Sequence, residues 1–248
     1  MNQNIDILIK KFEIIREQGL HESLRNGNTG IGYTFESLIG KQEDTDYAPD
    51  YNGIEIKTKL GYSKCPMTLF SLVPKSNEIN TISKMVETYG YPDKTFRQFK
   101  VLRANAHATK NIPVQNKYIF KLYVDWESQR LKLLITNNSN HLLSSNIYWD
   151  FDELKERLCK KLNYMALVIG YPYRYSEVVY YKYFKMTIYK LKSFETFLRL
   201  IEAGEISVIF NIGIYKTADK FGAVYDHGTS FKLSTSCIYK LFDKIKTV

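Results

Sequence analysis

The segment Ala48-Pro49-Asp50-Tyr51-Asn52-Gly53-Ile54-Glu55-Ile56-Lys57-Thr58 carries two carboxylates and an ammonium in close order. Hydrolysis of a phosphodiester needs a nucleophilic water, positive charge for the transition state and help for the leaving alkoxide. Asp50 and Glu55 can hold Mg²⁺, an ion that keeps several waters and binds through a few carboxylates plus substrate phosphate. Lys57 would orient the water and face the developing charge. Glu36, upstream, could hold a second ion or tune the first. The same residues also admit a plain reading, with Glu55 and Lys57 on the solvated face of an edge strand and Asp50 initiating a turn.

The elements that must position these groups can be read from the pattern around them. Ile54 and Ile56 alternate with Glu55 and Lys57, so an extended strand has one apolar face and one charged face. Asn52-Gly53 favours a tight turn that would swing Asp50 back beside Glu55. Upstream, Asp6 to Gly19 reads as an amphipathic helix through Ile7, Leu8, Phe12 and Ile15. A glycine-rich turn from Asn26 to Gly32 leads into a helix from Tyr33 to Ile39, with Thr34 as candidate cap, and that helix carries Glu36.

Further along, Met67 to Val73, Lys117 to Trp126, Arg130 to Thr136, Tyr164 to Ile169, Ile206 to Tyr215 and His227 to Leu233 read as strands. Ile79 to Thr88, Asp150 to Leu162 and Ser193 to Ala203 read as helices. This mixture predicts an α/β fold. A domain boundary is expected at Gly170-Tyr171-Pro172. His227 suits a metal ligand, a general base, a base contact or a polar turn. The tyrosine-rich stretch from Tyr171 to Tyr189, with Arg174, Lys182 and Lys185, suits base stacking or strand packing.

A net charge of +9 over 248 residues points to a polyanionic partner. Lys and Arg outnumber Glu156, Glu177 and Glu195 between Lys155 and Arg199, whereas Glu43, Asp44, Asp46 and Asp50 form an acidic patch before the Glu55 strand. Cys65, Cys159 and Cys237 are far apart and lack CxxC spacing, which suggests neither a disulfide framework nor a structural zinc site. No apolar run approaches the length of a membrane span and the first residues lack a signal-peptide pattern, so a cytoplasmic protein with no membrane partner is expected.

Taken in order, Gly27-Asn28-Thr29-Gly30-Ile31-Gly32, Thr34-Phe35-Glu36, Ala48-Pro49-Asp50, Ile54-Glu55-Ile56-Lys57-Thr58, Asp125-Trp126-Glu127-Ser128-Gln129 and Asp226-His227-Gly228-Thr229 resemble the MvaI/BcnI group of type II restriction endonucleases. More distantly the chain is similar to the MutH mismatch-repair nicking enzyme. The resemblance implies a PD-(D/E)xK fold: a restriction-endonuclease-like mixed β-sheet flanked by helices, with two lobes forming a DNA-binding cleft. It implies a catalytic lobe over residues 1–170 and a recognition lobe over 171–248.

Carried over by motif, Asp50, Glu55 and Lys57 become the catalytic triplet, with Asp50 and Glu55 as metal ligands, Mg²⁺ as cofactor and Glu36 as an additional acidic residue. His227, Asp226, Thr229, Asn211, Tyr215 and Lys216 become the DNA-contacting set. The group acts as a monomer on double-stranded DNA at a short pseudopalindromic site such as CC(A/T)GG, with a cognate DNA methyltransferase as genetic partner. Ile209 and Asn211 stand where the group pattern has charged residues, which implies altered specificity with unaltered chemistry. A MutH-like nicking enzyme, a catalytically inactive DNA-binding protein and an RNA binder are the alternative expectations.

Overall fold

The computed structural model describes residues 2–41 and 48–248, so the expected acidic patch of Glu43, Asp44 and Asp46 lies outside the described residues. Contacts divide the chain into two compact units that interleave along the sequence. One comprises Met1–Cys65, Leu158–Lys192 and Tyr239–Val248, and the other comprises Pro66–Arg157 and Ser193–Ile238.

This partition differs from a single cut after residue 170, and the reason is local. The strand Tyr164–Tyr175 runs through Gly170-Tyr171-Pro172 without a break, paired antiparallel with Val178–Leu191. Its register shifts between Ile169 and Gly170. A Cβ on Gly170 would come within 3.1 Å of the Lys182 carbonyl, so the glycine marks a bulge inside a ribbon rather than a linker.

In the first unit the sheet order is His21–Glu22, Val178–Leu191, Tyr164–Tyr175, Glu55–Leu60, with Phe242–Thr247 also paired to Val178–Leu191. The Glu55–Leu60 strand is parallel to Tyr164–Tyr175 and lies at the end of that order, which makes the sheet mixed. On the helix Asn2–Gln18, Ile5, Leu8, Ile9, Phe12 and Ile15 recur at helical spacing and are buried. They share one core with Phe35, Ile54, Ile56, Val168 and Ile188. The second helix, Gly30–Leu38, is tied to the sheet where the buried Tyr183 hydroxyl donates to the Ile31 carbonyl at 2.9 Å. Thr29, not Thr34, is its N-cap residue. Thr34 sits in the helix interior, where its hydroxyl accepts the Leu24 N–H at 3.1 Å.

The second unit holds two further sheets. One is ordered Met67–Ser71, Ser230–Leu233, Ile206–Ile214, Lys100–Ala106, Tyr91–Pro92, with Val224–Asp226 also on the Ile206–Ile214 strand. The other is a meander of Pro113–Val114, Tyr118–Asp125, Arg130–Asn137 and Leu142–Asp150. Trp149, on the Leu142–Asp150 strand, is fully buried, and its indole N–H donates to the Leu72 carbonyl at 3.0 Å. The Phe194–Glu202 helix begins as the sequence predicts, with the Ser193 hydroxyl accepting the Thr196 N–H at 3.0 Å.

Candidate active site

The Asn52-Gly53 pair forms a two-residue turn. Tyr51 and Ile54 exchange backbone hydrogen bonds of 3.0 and 2.8 Å, and both turn residues have positive φ, 44° for Asn52 and 87° for Gly53. The turn folds Asp50 back onto the strand, where its Oδ2 accepts the Ile56 N–H at 2.9 Å. The other oxygen, Oδ1, is bound by the Lys41 ammonium. Burial would raise the Asp50 carboxyl, but the Lys41 hydrogen bond, the Ile56 N–H and the Lys41 and Lys57 charges together hold it below its ordinary value.

Ile54 and Ile56 enter the core, as alternation requires. Glu55, on the opposite face, is also buried, with only 1% of its surface exposed. Lys57 donates to its Oε1 at 2.7 Å, and Lys161, in the last turn of the Phe151–Leu162 helix, lies 3.2 Å from Oε2. Desolvation still dominates: the Glu55 carboxyl is raised, with Lys57 and Lys161 opposing and Asp50 adding to the rise. Glu36 is raised as well, first by burial and then by the negative charge of Asp50 and Glu55. All four predicted catalytic residues therefore fall within one electrostatic neighbourhood of the first unit. The sequence reading missed Lys41 and Lys161. Lys161 is set there by the parallel pairing of Met165 with Glu55, a long-range register that spacing does not reveal.

Glu55 Oε2 is buried and accepts no hydrogen bond, facing the Lys161 ammonium only as an ion pair at 3.2 Å, and Asp50 adds its negative charge to the same neighbourhood. A hard cation suits such oxygens. Among the described residues no group of three or more His, Cys, Asp or Glu is gathered to hold a metal ion. Two carboxylates are a sparse set, of the kind Mg²⁺ uses when water and phosphate complete its octahedron.

The predicted DNA-contacting residues lie in the second unit. Asp226 accepts the N–H groups of Gly228 and Thr229 at 2.9 and 3.1 Å and the Thr229 hydroxyl at 2.8 Å. Thr229 is fully buried. These hydrogen bonds build the turn that carries His227. His227, exposed on that turn, packs edge-on against Tyr225 at 4.6 Å and over Gly213, where a Cβ would come 2.8 Å from its Nε2. The Tyr215 ring packs tilted against Tyr225 at 4.5 Å, and exposed Lys216 lies 3.8 Å from Asp93. Asn211 faces a concavity of roughly 610 Å³ shared with His227. The tyrosine-rich ribbon divides: Tyr181 and Tyr183 are core, whereas Tyr171, Tyr173 and Tyr175 are exposed.

A mixed sheet flanked by helices, with a Glu-x-Lys pair on a strand next to a folded-back aspartate, defines the restriction-endonuclease-like class. Residues 9–242 match the MvaI/BcnI restriction endonuclease family, and the chain belongs to that family. The chain is similar to the solved structure of restriction endonuclease MvaI in complex with cognate DNA substrate, at 32% identity over 99% of this chain and 98% of that one, TM-score 0.89. It is also similar to MvaI in the absence of DNA, at 31% identity over 100% and 98%, TM-score 0.66. No curated protein sequence matches the chain.

Proposed function

We propose that this protein is a Mg²⁺-dependent type II restriction endonuclease that hydrolyses double-stranded DNA as a monomer at a short pseudopalindromic site, with a CC(A/T)GG-like sequence the first to test. The observation that carries the reading is the Glu55–Lys57 pair, 2.7 Å apart, beside Asp50, with the other Glu55 oxygen buried, accepting no hydrogen bond and facing the Lys161 ammonium at 3.2 Å. Bound Mg²⁺ would supply the charge that neutralises the phosphate and polarises the attacking water. Asp50 and Glu55 would hold it. Lys41 and the Ile56 N–H fix the Asp50 carboxylate, so little reorganisation is needed at the moment of reaction. Lys57, partly exposed and anchored by Glu55, presents an N–H to the water and positive charge to the phosphorane.

His227 and Asn211 are the favoured base contacts, with Tyr215 and Lys216 at the margin of that surface. The family membership and the similarity to a DNA complex support this reading. A methyltransferase acting on the same site would be its genetic, not physical, partner. Supercoiled plasmid incubated with protein and Mg²⁺ is expected to give discrete fragments whose sequenced ends define one site, and chelation is expected to stop the reaction. Open-circular product alone would favour a nicking enzyme. Tight binding without cleavage on any DNA would favour an inactive clamp.

A further inference from the structure

Alternation along Ile206–Ile214 buries Ile206, Val208, Phe210, Ile212 and Ile214 and leaves Ser207, Ile209, Asn211 and Gly213 on the other face. The neighbouring strand places Arg103 directly opposite Asn211 and Asn105 opposite Ile209. On the other side Ser230 lies opposite Ile209. A layer of Asn105, Ile209 and Ser230 thus runs beside a layer of Arg103 and Asn211, both lining the concavity that holds His227.

Two features of this face remain unexplained by folding. Arg103 is exposed, and among the described residues it forms no salt bridge, sensing Asp93 only through space. Asn105 Oδ1 is buried in the same concavity with no hydrogen-bond partner. A guanidinium fork with no salt bridge matches the O6 and N7 acceptors of guanine, and a carboxamide whose oxygen has no partner matches the N6 donor and N7 acceptor of adenine. Between them Ile209 offers an apolar surface of the kind that meets a thymine methyl.

We propose that Arg103 and Asn105 are specificity-determining residues, Arg103 reading guanine and Asn105 reading adenine in the major groove. The proposal deepens the site-specific reading above and rests on it. The test is selection of bound duplexes from a randomised pool without Mg²⁺, using wild type, Arg103→Ala, Arg103→Lys and Asn105→Ala, each first shown to melt as wild type does.

Arg103→Ala is expected to lose guanine preference at one position of the site by roughly 5- to 150-fold, leaving other positions unchanged. Arg103→Lys keeps the charge but not the fork, so it should hold random DNA normally and still lose that preference. Asn105→Ala should relax an adenine position. Uniform weakening over all sequences with a shallower salt dependence would make Arg103 a phosphate contact and overturn the proposal. Unchanged base preferences in every variant would overturn it too. A wild type that selects no sequence would also overturn it, yet plasmid cutting by that protein would leave the nuclease reading standing. Conversely, selective binding lost in Arg103→Ala, in a protein that cuts nothing, would keep this inference and remove the nuclease.

Discussion

Burial sets stability against chemistry at Glu55. Its carboxyl is raised above the ordinary value, chiefly by desolvation, so the stability it contributes is complete below the unfolded-state value and lost as pH rises through the folded-state value. Glu55→Gln removes that loss. The metal-free variant is expected to melt above wild type at neutral pH and to converge with it near about pH 4, as thermal melts across pH will show. Asp50 has the opposite sign: its lowered value gives stability present above the unfolded-state value and lost as pH falls through the folded-state one. Asp50→Asn is therefore expected to cost about 1–3 kcal/mol at neutral pH and progressively less in acid. The proposed mechanism requires ionised Glu55, so the rate of cutting is expected to fall as acid approaches that raised value. Higher Mg²⁺ should move this limb to lower pH, because cation and proton compete for the same oxygens. A limb indifferent to Mg²⁺ would remove Glu55 from the metal site.

Among the elements, the turn was the most legible part of the site. Asn52-Gly53 announces its own geometry, and the Ile54/Ile56 alternation fixes which face of the strand the charges take. Gly53→Val, at φ 87°, is expected to cost about 1–2 kcal/mol and to slow cutting by displacing Asp50, while Asn52→Gly should leave both unchanged. Melting temperature and cleavage rate measured together will check this. Strands without such signatures are not legible in the sequence. Lys100–Ala106 ends in Ala104-Asn105-Ala106, residues that strands usually avoid, and Leu142–Asp150 opens with exposed leucines followed by polar Ser144, Ser145 and Asn146, so neither shows an alternating strand pattern. Arg103 and Asn105 went unnoticed with the first of them. Lys161 was hidden for another reason: the register between two parallel strands distant in sequence brings it to Glu55.

For the molecule as a whole, each of the two compact units is assembled from separated stretches of chain. A fragment ending at residue 170 would lack Val178–Leu191, the strand that pairs with Tyr164–Tyr175, His21–Glu22 and Phe242–Thr247. Such a fragment is expected to show no cooperative melt, and a stable one would contradict this topology. Among the described residues no helix is long and apolar enough to cross a membrane. The net charge of +9 predicts DNA binding that weakens steeply and log-linearly with salt in a filter or anisotropy titration. The most direct test of the active site is the single-turnover rate of cutting by Lys57→Ala on the site defined by fragment ends, under saturating Mg²⁺. The rate is expected to fall on the order of 10²–10³-fold or more with DNA affinity retained, whereas cutting at the wild-type rate would show that Asp50, Glu55 and Lys57 are not the group that breaks the backbone.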